Sequence, residues 1–168
     1  MPVSATDQGW VLRDSQERDI DELMSWFPDA NSVLIWGGPA FRYPFNRHSF
    51  AEDIHWGRMA SFSLYDPSGR LAAFGQLYER SGRINFARLV ANPAMRGEGV
   101  GKRLIGQMMV ASRSMFNCDE YSLFVYRDNG PAYECYKSMG FVVTEFPDGV
   151  PYADVCYYLT CPVIDKES

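Results

Sequence analysis

Between Leu89 and Lys102 the chain reads LVANPAMRGEGVGK, with Gly97, Gly99 and Gly101 at alternate positions and Arg96 and Lys102 on either side. Glycine has no Cβ, so a loop rich in it brings backbone close to a ligand and turns several N–H groups the same way. A helical period follows, and a helix N-terminus offers unpaired N–H groups and partial positive charge. Such a place suits a phosphate or pyrophosphate. The same residues would also make a tight strand-to-helix turn without any ligand. Spacing removes two familiar phosphate loops. A dinucleotide fingerprint needs G-x-G-x-x-G, and here the third gap is one residue short. A Walker loop needs Ser or Thr after Gly-Lys, and Arg103 follows Gly101-Lys102.

Arg96-Gly97-Glu98-Gly99-Val100-Gly101 resembles the Q/R-x-x-G-x-G/A signature of the GNAT superfamily of N-acetyltransferases, and Leu89-Val90-Ala91-Asn92-Pro93 resembles the splayed strand before it. About thirty residues on, Asn129-Gly130-Pro131-Ala132, Tyr136 and Gly140-Phe141 match the superfamily's N-x-x-A-x-x-x-Y-x-x-x-G-F at every spacing. The resemblance covers about residues 71–160 and weakens upstream. It implies an α/β (α+β) fold, a mixed and mostly antiparallel sheet of about six or seven strands flanked by helices. It also implies acetyl-CoA as co-substrate. Backbone groups of Leu89, Val90 and Ala91 would pair with the pantetheine arm as an added strand does. Amides from Gly97 through Glu98, Gly99, Val100 and Gly101 to Lys102 would hold the pyrophosphate, with Arg96 beside them. Asn129 would hydrogen-bond the pantetheine amides, and Tyr136 would stand near the thioester sulfur.

Tyr136 has a chemical rationale in that role. An amine attacking a thioester expels a thiolate, and a phenol of pKa about 10 can protonate a thiolate whose conjugate acid lies near 8.5 where the site favours the neutral thiol. Without the motif, Tyr133 and Tyr136, three apart on one helical stretch, read as core aromatics. The expected route is direct transfer in a ternary complex, with Cys135 a packing residue rather than a nucleophile.

A general base is harder to find. Many GNAT relatives place a Glu on the strand before the glycine loop or on the next strand; here those strands offer Asn85 and Arg88, then Ser122 and Phe124. Glu79, at the end of an earlier strand, is the nearest acidic candidate. Deprotonating a lysine-like ammonium at pH 7 costs about 4.6 kcal/mol, against about 1.4 kcal/mol for an α-amine. A site without a strong base therefore favours an α-amine or another amine of low pKa, on a small molecule or a peptide. The acceptor site is expected from Trp36, Phe41, Arg42, Tyr43 and Phe45, since an aromatic loop with one cation suits a small ligand bearing a carboxylate. These aromatics would equally serve to cover the sheet. The alternative function is a module of the same fold that binds acyl-CoA as a signal and transfers nothing.

Periodicity supplies the elements that would position these groups. Strands are expected at 10–13, 60–65, 71–78, 83–91, 121–126, 141–146 and 154–160, and helices at 18–27, 49–59, 99–116 and 131–138. Pro28 ends the first helix, and Val33 to Phe45, VLIWGGPAFRYPF, reads as an aromatic loop. The 168 residues form one expected domain, with acceptor-side elements at about 10–65 and a cofactor-binding core at about 71–160. A net charge of −5 argues against broad nucleic-acid binding, which needs surplus Lys and Arg. Cys118, Cys135, Cys156 and Cys161 form no CxxC pair, and His48 and His55 lie far from them, so no metal is expected. Met1 to Gln8 lacks a signal-peptide layout, and no apolar run reaches the roughly 18–20 residues of a membrane span. The expectation is a cytoplasmic monomer or homodimer.

Overall fold

A computed structural model describes residues 8–164. Its strands are β1 (Val11–Asp14), β2 (Ala60–Tyr65), β3 (Leu71–Arg80), β4 (Arg83–Ala91), β5 (Glu120–Tyr126), β6 (Val142–Thr144) and β7 (Cys156–Pro162). Its helices are α1 (Glu17–Met24), α2 (Ala30–Gly37), α3 (Arg47–Asp53), α4 (Val100–Ser112) and α5 (Gly130–Ser138). The strands form one sheet in the order β1-β2-β3-β4-β5-β7-β6. β1 pairs antiparallel with β2, β7 antiparallel with both β5 and β6, and β4 parallel with β5. This is the mixed α/β architecture expected, with seven strands. Among the described residues, no helix is long and apolar enough to cross a membrane.

Packing divides the chain into two units, one of residues up to Gln76 with Arg88–Met108, the other of Leu77–Ala87 with residues from Met109 onward. In the first, Ile20 and Leu23 of α1, Val33 of α2 and Phe50 of α3 gather with Phe41, Ile54 and Phe74 into a core. Trp36 stacks on Phe27 at 4.3 Å and lies 5.7 Å from Phe50. The second unit centres on Ile84, Phe86, Tyr121, Leu123, Phe141 and Leu159, all buried, with Phe86 stacked 5.4 Å from Tyr121.

Two sequence expectations are corrected here. The stretch expected as an aromatic loop begins inside α2, whose N-cap Asp29 accepts from the Ser32 N–H at 2.8 Å. The run VLIW is apolar on every side of the helix, so it shows no amphipathic period to read. The helix expected to continue to Met59 stops at Asp53, because His55 and Gly57 take φ of +57° and +85°.

One buried carboxylate ties the first unit together. Asp19, only 3% exposed, accepts the Gln16 N–H at 2.8 Å and the Ser63 hydroxyl at 3.0 Å. It also accepts the Tyr65 hydroxyl, and burial followed by that bond pushes the Tyr65 phenol up to about 12. α1 is thus capped by a group that β2 also holds. Asp19→Ala is expected to lower stability by about 2–4 kcal/mol, since it strands several donors at once. Urea denaturation measures it, and a loss under about 1 kcal/mol would show that water replaces the carboxylate.

Candidate active site

The glycine loop leaves β4 through a turn fixed by Asn92. This buried side chain donates to the Leu71 carbonyl at 2.9 Å and accepts the Ala94 N–H at 2.9 Å. A short 3-10 helix, Pro93–Met95, follows, anchored by buried Met95. Gly97 and Gly99 then take φ of +83° and +74°, a region that side chains with a Cβ enter only at a cost. The Gly99 carbonyl receives the Arg103 N–H at 3.3 Å, so Gly99 is the N-cap of α4. Glycine has no side chain to cap with, and helix geometry leaves the first-turn amides of Val100, Gly101 and Lys102 for an outside acceptor. A methyl group added at Gly97, Gly99 or Gly101 would meet no atom within 4 Å. Open space thus lies beside these glycines, with Arg96, Glu98 and Lys102 exposed around it. A pyrophosphate fits this donor set.

The strand before the loop is irregular. β4 pairs with β5 from Ile84 opposite Tyr121 to Phe86 opposite Leu123. Two residues on, Arg88 turns to φ +49°, and half-buried Leu89, Val90 and Ala91 complete the strand. Asn85, one of the positions open to a strand carboxylate, instead accepts the Ser122 hydroxyl at 3.0 Å, and both side chains are buried.

On α5, Asn129 occupies the N-cap but its side chain makes no capping bond, which leaves the amide available to another partner. The two tyrosines of this helix separate clearly. Tyr133 packs at 5.0 Å from Tyr157, while Tyr136 meets Phe141 edge-on at 6.2 Å. Burial pushes the Tyr136 phenol well above its ordinary value, and nearby Cys135 adds to the shift. The hydroxyl therefore keeps its proton throughout the physiological range.

The remaining candidates are placed as follows. Glu79 is exposed next to the last residue of β3, and after burial its charge helps to raise the Cys118 thiol. Trp36 and Phe41 belong to the aromatic core, where their ring centroids are 5.6 Å apart. Tyr43 is exposed and donates to the Pro28 carbonyl at 3.0 Å. Arg42 bonds Asp53 at 2.9 Å and Glu52 at 2.8 Å, so carboxylates of the chain itself already face this cation. Sequence reasoning overlooked Asn92 as the residue that aims the loop; its Asn-Pro dipeptide was the available signal. Among the described residues no group of three His, Cys, Asp or Glu could hold a metal ion.

The model of the acetyltransferase (GNAT) family matches residues 22–141. The chain belongs to the GNAT acetyltransferase family. Solved structures agree with this fold. The chain is similar to spermidine N-acetyltransferase from Vibrio cholerae in complex with CoA and spermine, at 19% identity and a TM-score of 0.70, over 92% of this chain and 96% of that one. It is similar also to the ribosomal-protein-S18-alanine N-acetyltransferase of Escherichia coli, at 17% identity and a TM-score of 0.63, over 95% and 97%. A dodecameric form of the Vibrio cholerae enzyme matches at 17% identity and a TM-score of 0.67, over 93% and 95%. The matched range includes the glycine loop and the residues around Tyr136.

Proposed function

We propose that this GNAT protein acetylates an amine, with acetyl-CoA as donor, by direct attack within a ternary complex. The observation that carries the reading is the glycine loop: a helix start at Gly99, two glycines in left-handed conformation and clearance where side chains would stand. Backbone groups of Leu89, Val90 and Ala91 hold the pantetheine arm, and amides from Gly97 to Lys102 hold the pyrophosphate. Arg96 and Lys102 add charge at its rim. The Asn129 amide bonds the arm's peptide groups. The thioester supplies an acetyl group already activated for transfer.

Tyr136 keeps its proton and delivers it to the departing sulfur. Glu79 takes the amine's proton through water, a task within reach for an amine of pKa near 8. The solved neighbours, named for spermidine and for the alanine of a ribosomal protein, support an amine as acceptor. Calorimetric titration tests the donor site, with NAD and ATP as controls. Acetyl-CoA alone is expected to bind with a Kd in the micromolar range, about −8 kcal/mol. Failure of acetyl-CoA and of longer acyl-CoA to bind would reduce the loop to a turn and end this reading.

A further inference from the structure

Among the described residues, ion pairs join Arg42, Arg47 and Arg83 to carboxylates of the chain itself. None of these pairs includes Arg80, the half-buried last residue of β3. Its guanidinium carbon lies 5.3 Å from the centre of the Phe124 ring on β5, and its Nη1 donates to the Tyr78 hydroxyl oxygen at 3.1 Å. In that bond the Tyr78 oxygen is the acceptor, so the phenol hydrogen is left to donate elsewhere. A ring face attracts a guanidinium but does not neutralise it. Side chains alternate along a strand, so Tyr78 and Arg80 share one face of the sheet and Glu79 takes the other.

The floor beneath Arg80 is aromatic and lies wholly in the second packing unit. Phe124 stands 4.8 Å from Tyr158 and 5.5 Å from Phe146. Tyr158 is buried, while Phe124 and Phe146 are half-buried. Arg83 lies over the Tyr158 ring at 5.7 Å, but its Nε donates to Glu120 at 2.7 Å. Two guanidinium groups therefore cover this floor, and the chain supplies a carboxylate to one of them. Ser122, between Glu120 and Phe124 on the same face of β5, is bonded to Asn85, and neither is charged. Pairing of β5 with β4 ends at Leu123, so Phe124 is the first residue past it. β4 is the strand assigned above to the pantetheine arm.

We propose that Arg80 and Tyr78, above the Phe124 ring, form a subsite for the carboxylate of the acceptor, so that the acceptor is an amino-acid-like amine and not a polyamine. The proposal rests on the acetyl-transfer reading above. A guanidinium fork matches the two oxygens of a carboxylate, and the Tyr78 hydroxyl adds a further donor. Partial burial strengthens the field of an uncompensated cation. A polyamine would bring a second ammonium towards it and be repelled. The expected carboxylate contact thus moves from Arg42, which Glu52 and Asp53 already engage, to Arg80.

Two measurements on the full chain test it. In the first, each common L-amino acid is compared with its decarboxylated amine, and with spermidine, as acceptor in the presence of acetyl-CoA. The preferred acid should exceed its amine and spermidine in kcat/KM by at least about tenfold. Arg80→Gln should lower that ratio by about tenfold, whereas Arg80→Lys, which keeps the charge, should lower it by no more than about threefold. Tyr78→Phe keeps the ring and should lower it by about threefold, which carries the test if Arg80→Gln fails to fold. In the second, the Arg80 Nε–H signal is followed by NMR with saturating CoA, assigned by its loss in Arg80→Lys. Millimolar preferred acid should shift the signal, and the matching amine should not; where no acceptor is turned over, each amino acid is tried in turn. Transfer that ignores the carboxylate or favours spermidine, with an unmoved signal, overturns the subsite and leaves acetyl transfer standing. A preference for the acid that survives both Arg80→Gln and Tyr78→Phe likewise overturns it. A signal shifted by amino acids and not by their amines, with no transfer to any amine, keeps the subsite and overturns transfer.

Discussion

A Gly99→Val variant is expected to bind acetyl-CoA about a hundredfold more weakly than the natural chain, a change of about 2.7 kcal/mol. Two effects add. Gly99 holds φ at +74°, which a β-branched side chain resists. The new side chain would also stand in the open space assigned to the pyrophosphate. The first effect alone would lower stability without touching the ligand, so a partner variant is needed. Gly101 lies inside α4 and has no left-handed φ, and a methyl group there would meet nothing of the protein within 4 Å. Gly101→Ala should therefore stabilise the fold by up to about 1 kcal/mol through helix propensity, yet weaken acetyl-CoA binding. Calorimetry and thermal denaturation on one sample read both signs. Unchanged binding in both variants would show that no phosphate group sits against these amides.

Tyr136→Phe is expected to lower kcat by about a hundredfold or more, the range lost with a positioned proton donor. KM for acetyl-CoA should stay within about twofold, since the ring and its edge-on contact with Phe141 at 6.2 Å are retained. The pH profile gives an independent check. Burial raises the phenol, so proton donation should continue beyond pH 10, where an ordinary tyrosine would have lost its proton. A fall of less than about threefold in kcat would leave Tyr136 a packing residue only.

What could be read beforehand was local chemistry. The glycine spacing from Gly97 to Gly101 announces its own backbone, because left-handed φ and close approach are properties of single residues. The motif around Asn129 and Tyr136 is likewise contained in one turn and one helix. α2 escaped because Val33, Leu34, Ile35 and Trp36 leave no polar face to set the period; the only cue was the pairing of Asp29 with Ser32, which caps the helix. Arg42 looked like a cation available to a ligand because nothing in its neighbours reveals that Glu52 and Asp53 fold back onto it. The partners of Arg88 were equally hidden. Met59 lies on a turn and Gln76 on a strand with no shared periodicity, and only the fold shows that Arg88 reaches both.

Neither of the two packing units is a continuous stretch of chain: Leu77–Ala87 belongs with the residues after Met109, and Arg88–Met108 with those before Leu77. A single cut after Met108 keeps the first unit whole only by taking Leu77–Ala87 of the second with it. A fragment ending at Met108 would carry Ile84, Asn85 and Phe86 without the β5 residues they pair with, and one starting at Met109 would lack them. Terminal truncation is thus a poor route to a minimal version of this molecule.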